Sequence, residues 1–237
     1  MREQKSSSQL KGMAKTLLMG RYALPLGATL VTGLLWGILA SVLNWAFPVR
    51  LFPGLVLNSV ASFIVSLLMC VLNAGFCYLI LNLTRGREGK LSDLLYGFSH
   101  EPDRIILIAV FLILLSVGCV LPSILLFFLG FWANLFFIQI LGVFALLIGL
   151  AVCVYLLLSY PLVYFLYLDH PDAPVSEILS RSKTLMRGNR GRYFYLQVSF
   201  VGLSLLSVLS CGIGFLWVLP YMQTVNALFY RNLIGEV

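Results

Sequence analysis

Long stretches without a charged residue constrain the fold of this chain more than any other feature. Asp, Glu, Lys and Arg are absent from four runs of the sequence. These runs are Tyr22 to Val49 (28 residues), Leu51 to Thr84 (34), Ile105 to Leu168 (64) and Tyr193 to Tyr230 (38). A helix of about 20 apolar residues crosses the roughly 30 Å of hydrocarbon in a bilayer. Each run therefore predicts at least one membrane-spanning helix.

The last two runs are too long for one span each. A single helix over the third run would extend about 96 Å, so a turn is predicted near Gly130 to Asn134. The fourth run would extend about 57 Å as one helix, and its most flexible segment is Cys211 to Gly214. Since each of the first two runs holds one span, the chain predicts six spans, of which the last two are barely long enough.

Composition supports a membrane protein and excludes other classes. Apolar residues make up 60% of the 237 positions and charged residues only 11%, which excludes a disordered chain and a water-soluble domain of this size. The runs are continuously apolar rather than alternating, so helices are favoured over the strands of a β-barrel. The predicted fold class is all-α: a polytopic membrane helical bundle of six transmembrane helices in three hairpins, forming a single membrane domain over residues 1–237.

The basic residues lie on one side of the predicted spans. Six spans place both termini and the segments 85–104 and 169–192 on the same face. Of the 16 Lys and Arg residues, 15 fall on that face and Arg50 alone falls on the other. Because basic residues are retained on the cytoplasmic side during insertion, we expect both the N- and C-termini in the cytoplasm. All nine acidic residues share that face and leave it a net charge of +6.

A six-residue motif that ends in glycine recurs before the first, third and fifth predicted spans. Its copies are Lys15 to Gly20, Ser92 to Gly97 and Lys183 to Gly188, the second being the loosest match. The repeat divides the chain into pseudo-repeat units 1–85, 86–170 and 171–237. Each unit is predicted to hold a short cytoplasmic amphipathic helix followed by a transmembrane hairpin.

The sequences of the short segments favour helices that lie flat at the lipid headgroups. Apolar residues recur at helical spacing in two of them. These residues are Leu91, Leu94, Leu95 and Phe98 in the second unit, and Val175, Ile178, Leu179, Leu185 and Met186 in the third. In the third unit, Asp172 before Pro174 predicts a helix start, Glu177 and Arg181 predict an i,i+4 ion pair, and Gly188 predicts a stop.

Motifs spread over most of the chain carry a family resemblance. They are Leu10 to Lys15, Gly97-Phe98, Ser180 to Asn189, Tyr193-Phe194, Ser199-Phe200, Gly212 to Trp217, Pro220-Tyr221 and Ala227 to Tyr230. In these motifs the chain resembles a family of bacterial integral membrane proteins, common in Gram-positive bacteria, that is catalogued as domain of unknown function nine-seven-five. The resemblance implies a multi-pass protein of a bacterial cytoplasmic membrane. It carries no agreed activity.

Basic clusters beside the spans are the first candidate site. We expect them to bind anionic lipid headgroups or a membrane protein partner, each residue near the surface contributing about 1 kcal/mol. The candidates are Lys11, Lys15, Arg21, Arg181, Lys183, Arg187, Arg190 and Arg192. The alternative is that these residues only fix the topology. The favoured function is a non-catalytic interaction or scaffold protein whose basic cytoplasmic face binds anionic lipid or a partner.

A polar stripe along the second span is the other candidate site. Ser59, Ser62, Ser66 and Asn73 recur at i, i+3, i+7 and i+14. Such a stripe either packs against a neighbouring helix or lines a narrow cavity. The second possibility, together with the threefold repeat, predicts a passive or partner-driven transporter of a lipidic or small neutral substrate as the alternative function.

Chemistry-bearing motifs are absent from the sequence. The predicted spans contain no carboxylate, His or Lys, which ion-coupled transporters place at membrane depth. Neither a nucleophile elbow nor a phosphate-binding glycine loop occurs, and the two His residues lack metal-ligand spacing. We therefore expect no enzyme, no cofactor and no nucleic-acid partner. A third alternative, an enzyme acting on lipid headgroups, requires Asp93, His100 and Asp169 to converge.

Overall fold

The computed structural model describes residues 5–48 and 52–237, and within these ranges the chain is helical without strands. The helices are α1 (Ser7–Leu18), α2 (Ala23–Ala46), α3 (Phe52–Thr84), α4 (Tyr96–Ser99), α5 (Pro102–Trp132), α6 (Phe136–Leu157), α7 (Val163–Asp169), α8 (Val175–Leu185), α9 (Arg190–Val198), α10 (Val201–Leu209) and α11 (Phe215–Ile234). A 3-10 helix, Leu91–Leu95, precedes α4. The all-α class is therefore confirmed. Arg2 and Arg50, which the charge count used, lie outside the described residues.

Five helical segments of the described chain are long and apolar enough to cross a membrane. They are α2, α3, α5, α6 and the segment Arg190–Leu209, which contains both α9 and α10. The turn predicted near Gly130 to Asn134 is confirmed, because α5 ends at Trp132 and α6 begins at Phe136. Asn134 adopts the left-handed region there with φ 57°, which asparagine tolerates better than most residues.

The last apolar run also turns where predicted, but its sixth span is not confirmed. α10 ends at Leu209, and Cys211 and Gly212 reverse the chain in the left-handed region with φ 55° and 88°. α11 is not among the five apolar segments. Polar side chains from position 223 onward lower its hydropathy. They are Gln223, Thr224, Asn226, Arg231 and Asn232.

The last hairpin stops short of the far end of α2. Leu219 of α11 lies beside Gly33 of α2 and Asn73 of α3 in one groove. α2 continues from Gly33 to Ala46, about 20 Å further, whereas α11 extends only from Leu219 back to Phe215, about 6 Å. The turn between α10 and α11 therefore lies partway along α2.

The buried core lies at the charged end of the bundle. In α3 the buried residues are concentrated in the second half, from Val71 to Thr84, directly before Arg85. α7 is mostly buried up to Tyr167, and α11 is buried around Phe229. The opposite helix ends expose large apolar side chains, with Trp45 and Trp132 exposed to 87% and 94%. Such a surface would be unstable in water, and it fits a lipid environment.

Two glycines bring the 3-10 helix and α4 against the backbone of α3. A Cβ placed on Gly75 of α3 would lie 2.0 Å from the carbonyl oxygen of Leu94. A Cβ on Gly97 of α4 would lie 2.7 Å from the carbonyl oxygen of Val71. Both distances are far below any real carbon contact, so the two backbones approach as closely as glycine alone permits.

Glycines also allow α5 and α6 to pack tightly against each other. A Cβ on Gly142 of α6 would lie 2.8 Å from the backbone of Phe127, and one on Gly149 would lie 2.5 Å from the carbonyl oxygen of Cys119. Small residues let two helices approach closely where no hydrophobic force drives them together. The side chains along the rest of this hairpin are largely exposed.

A helix break in the third apolar run is bridged by a hydrogen bond from a side chain of α8. α6 ends at Leu157 and α7 begins at Val163, so Pro161 lies in the turn between them. The hydroxyl of Ser182 donates a hydrogen bond of 3.0 Å to the carbonyl oxygen of Ser159, and both residues are buried. This bond satisfies a carbonyl in the break and fixes α8 to the bundle.

Helical structure occurs at all three predicted short segments, although the second differs. α1 and α8 are continuous helices, whereas the second segment is the 3-10 helix followed by the single turn of α4. Gly20 and Gly188 both have a positive φ, 80° and 82°, shortly after α1 and α8. Gly97 instead lies inside α4 against Val71. The membrane-surface position of these segments and the three-unit division stay predictions.

Candidate functional site

Three basic side chains line one pocket where α6, α8 and α9 meet. This basic pocket consists of Tyr155, Ser180, Lys183, Thr184, Arg187, Gly188 and Arg190 and has a volume of about 510 Å³. Tyr155 comes from the last turns of α6, and α8 with the turn after it supplies all the others except Arg190, the first residue of α9. None of the lining residues is acidic, so the pocket carries three positive charges.

None of the three cations has a counterion among the described residues. The cations that form ion pairs within the described residues are Arg85, Arg104, Arg181 and Arg231. Like charges that share a pocket repel one another, and an anion placed between them removes that repulsion. The pocket is thus a candidate anion site.

The side chain of Arg190 packs against Tyr155 and has one donor without a partner among the described residues. Its Cζ lies 4.6 Å from the ring centre of Tyr155, a cation–π contact. Its Nε is buried and has no hydrogen-bond partner among the described residues. A buried donor without a partner is costly.

The start of α9 adds open backbone to the pocket. No side chain caps this helix, whose N-cap is Asn189. Gly188 and Gly191 on either side face open space, since an added Cβ on either would meet nothing within 4 Å. The N-terminus of a helix carries a partial positive charge, which adds to that of the three side chains.

The other predicted basic residues lie elsewhere. Lys11 places its Nζ 4.6 Å from the ring centre of Phe200, Arg181 pairs with Glu177 at 2.7 Å, and Arg192 donates to Oδ1 of Asn232 at 2.7 Å. Lys15 and Arg21 are exposed. The predicted pair between Glu177 and Arg181 is confirmed. Of the eight candidates, the structure brings Lys183, Arg187 and Arg190 together at the basic pocket.

A network of charged groups lies on the opposite side of α8. Arg85 binds the Asp169 carboxylate through both Nη atoms, at 2.7 and 2.8 Å, and binds Glu236 at 2.7 and 3.1 Å. Tyr230 donates to Asp169 at 2.6 Å, and Arg231 binds Glu236 at 2.7 Å. These five residues, the charge network, tie the ends of α3, α7 and α11 together. The side chains of Arg85, Asp169 and Arg231 are only 18%, 15% and 13% exposed.

The network sets the charge states of its acids. Burial alone would raise the pKa of Asp169, but the hydrogen bonds from Arg85 and Tyr230 outweigh it and the pKa is lowered. The hydrogen bond from Arg85 likewise lowers the pKa of Glu236, against burial and with help from Arg231. Both acids are therefore ionised and paired at neutral pH.

A pocket of about 640 Å³ opens beside this network and shares a wall with the basic pocket. Its lining includes Arg85, Asp169 and His170 on one side, and Ser180 and Thr184 of α8 on the other. Ser180 and Thr184 also line the basic pocket. α8 thus separates two pockets of different charge.

The predicted polar stripe of α3 is divided by the structure. Asn73 lines a groove of about 290 Å³ between α2, α3 and α11, with Thr29, Gly33 and Leu219 among its neighbours. The three serines bond within their own helix. Ser59 donates to the carbonyl of Leu55, Ser62 to the side chain of Asn58 and Ser66 to the carbonyl of Phe63.

The residues of the headgroup-enzyme alternative have separate partners. Asp169 belongs to the charge network. Asp93 accepts a hydrogen bond from the backbone N–H of Lys90, and the ring of His100 stacks on Tyr96 at 4.1 Å. The described part of the chain holds no cluster of side chains suited to a metal ion.

Sequence reasoning missed the uncharged walls of the basic pocket. Tyr155 lies 35 positions before Arg190 in the chain, and no local pattern connects the two. Ser180 and Thr184, one helical turn apart on α8, carried a weak signal, since they occupy the same face as Lys183 and Arg187. Only the fold shows that this face closes a pocket.

Comparison with known proteins places the chain in a family and assigns no activity. The search found no significant match among curated proteins or solved structures. The family described as "Protein of unknown function (DUF975)" matches residues 1–236, nearly the whole chain. The chain therefore belongs to that family.

Proposed function

We propose that this protein binds the headgroup of an anionic lipid in the basic pocket, as a non-catalytic interaction or scaffold protein of a bacterial cytoplasmic membrane. The observation that carries the proposal is the convergence of Lys183, Arg187 and Arg190 in one pocket without an acid among its lining residues. Neutral solutes would leave the repulsion between these cations in place.

The position of the pocket favours a lipid over a soluble anion. Tyr155 lies near the end of α6, and Arg190 begins the segment Arg190–Leu209; both are membrane-span candidates. In the same two helices, Val154 of α6 and Phe194 and Tyr195 of α9 expose apolar or aromatic side chains. A lipid whose headgroup binds in the pocket could pack its acyl chains against these helices. A soluble anion would make no such apolar contact.

The topology we propose has three hairpins with both termini in the cytoplasm. The charged ends of α3, α7 and α11 meet in the charge network, which supports one shared face. The shallow last hairpin, α10 with α11, would enter and leave the membrane on that face. The pseudo-repeat units 1–85, 86–170 and 171–237 would each contribute one hairpin.

Cysteine labelling tests this topology. In a variant whose five native cysteines are replaced, we expect cysteines at Glu88 and Asp172 to react with a membrane-impermeant maleimide only after the cytoplasmic side is opened. A cysteine at Asn134 should react from outside in intact cells, because the α5–α6 turn lies at the other end of the spans. Labelling of Glu88 and Asp172 from opposite sides would contradict the proposed topology.

Neutralising the basic pocket tests the lipid site. We expect the triple substitution of Lys183, Arg187 and Arg190 to glutamine to lower the affinity for anionic lipid about tenfold. Each near-surface cation contributes about 1 kcal/mol, and salt screening reduces their sum. The measurement is binding of a fluorescent phosphatidylglycerol to the full chain in nanodiscs of neutral lipid.

The matched control removes three charges outside the pocket. It carries glutamine at Lys15, Arg21 and Arg181, which are exposed. We expect its lipid affinity to stay within about twofold of the wild type. Equal losses in the two triple variants would show that net charge alone attracts lipid, and would reject the pocket as the site.

The transporter alternative has weaker support. Its polar stripe would need to line a continuous cavity, but only Asn73 of the four residues faces the groove between α2, α3 and α11. The serines have acceptors in their own helix. The basic pocket therefore carries the proposed function better.

A further inference from the structure

We infer that the basic pocket selects a phosphomonoester headgroup, as in phosphatidic acid, over the phosphodiester headgroups of other anionic lipids. The inference rests on the proposed function and names the ligand class of the same site. Its chemical basis is the number of charges and donors in the pocket, compared with what each kind of phosphate offers.

The charge of the pocket matches a dianion better than a monoanion. Lys183, Arg187 and Arg190 supply three positive charges and the other lining residues are neutral. A phosphodiester carries one negative charge, whereas a phosphomonoester carries close to two at neutral pH. The monoester therefore removes more of the repulsion among the three cations.

The donors converge from separate elements and need several acceptor atoms. Lys183 and Thr184 come from α8, Arg187 from the turn after it and Arg190 from the start of α9. The ring of Tyr155 from α6 lies against the Arg190 guanidinium. A phosphomonoester presents three strong acceptor oxygens, but two of the four oxygens of a diester are esterified. The third free oxygen can meet an additional charged donor among Lys183, Arg187 and Arg190.

The selectivity should depend on pH through the ligand. The second ionisation of a phosphomonoester falls near pH 6, whereas Lys and Arg side chains keep their charge below about pH 9. The charged or titratable groups that face the pocket are Lys183, Arg187, Arg190 and Tyr155. Across α8, the neighbouring pocket adds Arg85, Asp169, His170, Arg181, Tyr230 and Glu236. His170 is the only imidazole among these groups, so its substitution separates an effect of the protein from an effect of the ligand.

The experiment measures lipid selectivity of the full chain in neutral nanodiscs. Fluorescent phosphatidic acid and phosphatidylglycerol are compared from about pH 5 to about pH 8. We expect phosphatidic acid to bind about tenfold more tightly at the upper pH, the effect of one added charge-assisted hydrogen bond, and the ratio to fall toward one at the lower pH. His170→Gln should leave this pH dependence unchanged.

Arg187→Gln and Arg190→Lys test the pocket itself. Arg187 is exposed, so its loss should reduce the selectivity without unfolding the chain. Arg190→Lys keeps the charge but loses the planar fork, and it should reduce the selectivity as well. The exposed Lys15→Gln serves as control and should keep the ratio.

Each outcome separates the inference from the proposed function. Equal affinity for the two lipids with pocket-dependent binding would overturn the monoester inference and keep the lipid site. Failure of both lipids to bind above neutral lipid would overturn both. Displacement of phosphatidic acid by inorganic phosphate at similar concentration would show that the pocket binds phosphate without any contribution from the lipid. This result would overturn the claim that the ligand is a lipid. Loss of the pH dependence in His170→Gln would show that the protein, rather than the lipid phosphate, causes it. This result would contradict the explanation through the ligand.

Discussion

Gly75→Ala is expected to lower the free energy of unfolding by about 3 kcal/mol, near the upper end for overpacked sites. Its new Cβ would lie 2.0 Å from the carbonyl oxygen of Leu94 and 2.9 Å from the Cα of the same residue. These are backbone atoms, so no side-chain rotation can relieve the clash. The 3-10 helix would have to move away from α3.

Such a movement would disturb more than one contact. The 3-10 helix is followed directly by α4, in which Gly97 makes the reciprocal close approach to Val71. Tyr96 stacks on Tyr78 of α3 at 3.9 Å. Both contacts would open if the 3-10 helix shifted outward, and this shared cost is why we expect a large effect.

Gly33→Ala is the matched control. Gly33 lies in α2, and an added Cβ would meet nothing within 4 Å. Because alanine favours a helix over glycine by about 1 kcal/mol, this variant should be as stable as the wild type or slightly more. The measurement is the thermal unfolding midpoint in detergent, where Gly75→Ala should fall by roughly 5–10 °C. Equal midpoints for the two variants would refute the close backbone approach.

Asp169→Ala is expected to lower the free energy of unfolding by about 3 kcal/mol, as for a buried ion pair that loses one partner. Arg85 would lose its bidentate partner, and Tyr230 would lose the acceptor of its hydroxyl. Glu236 would remain as the single acid bound to Arg85. The exposed pair between Glu177 and Arg181 provides the control, since Glu177→Ala should cost at most about 0.5 kcal/mol.

The pH dependence of stability provides a second measure of the same network. The pKa of Asp169 and that of Glu236 are lowered in the folded protein. Their contribution is therefore fully present above the unfolded values, 3.8 and 4.5, and is lost as the pH falls through the lower folded values. The wild type should lose stability below about pH 4, and Asp169→Ala should lose less over the same interval. Parallel curves for the two proteins would contradict this assignment.

The helical reversals were predictable from the sequence because their physical cause is local. A charge-free run longer than a bilayer must turn, and Asn134 and Gly212 are residues that tolerate the required left-handed backbone. The depth of the last hairpin was not predictable. Run length measures how much apolar chain is available, whereas the place of Leu219 beside Gly33 depends on packing between helices distant in sequence.

The site was predictable only as a set of cations. Lys183, Arg187, Arg190 and Arg192 look equivalent along the chain, but the turn at Gly188 and the start of α9 send Arg192 to Asn232 and leave the other three at the pocket. Arg85 and Asp169, 84 positions apart, form their pair only because α3 and α7 end side by side. Local patterns carry no information about such partners.

The double role of α8 has a practical consequence for mutational scanning of this family. Ser180 and Thr184 form one partition with a cavity on either side, so a bulky replacement at either position intrudes on both compartments and yields a composite phenotype. Lys183 and Arg187 border only the cationic compartment, while Leu185 borders only the other. A scan that pairs these positions would assign each phenotype to its own compartment.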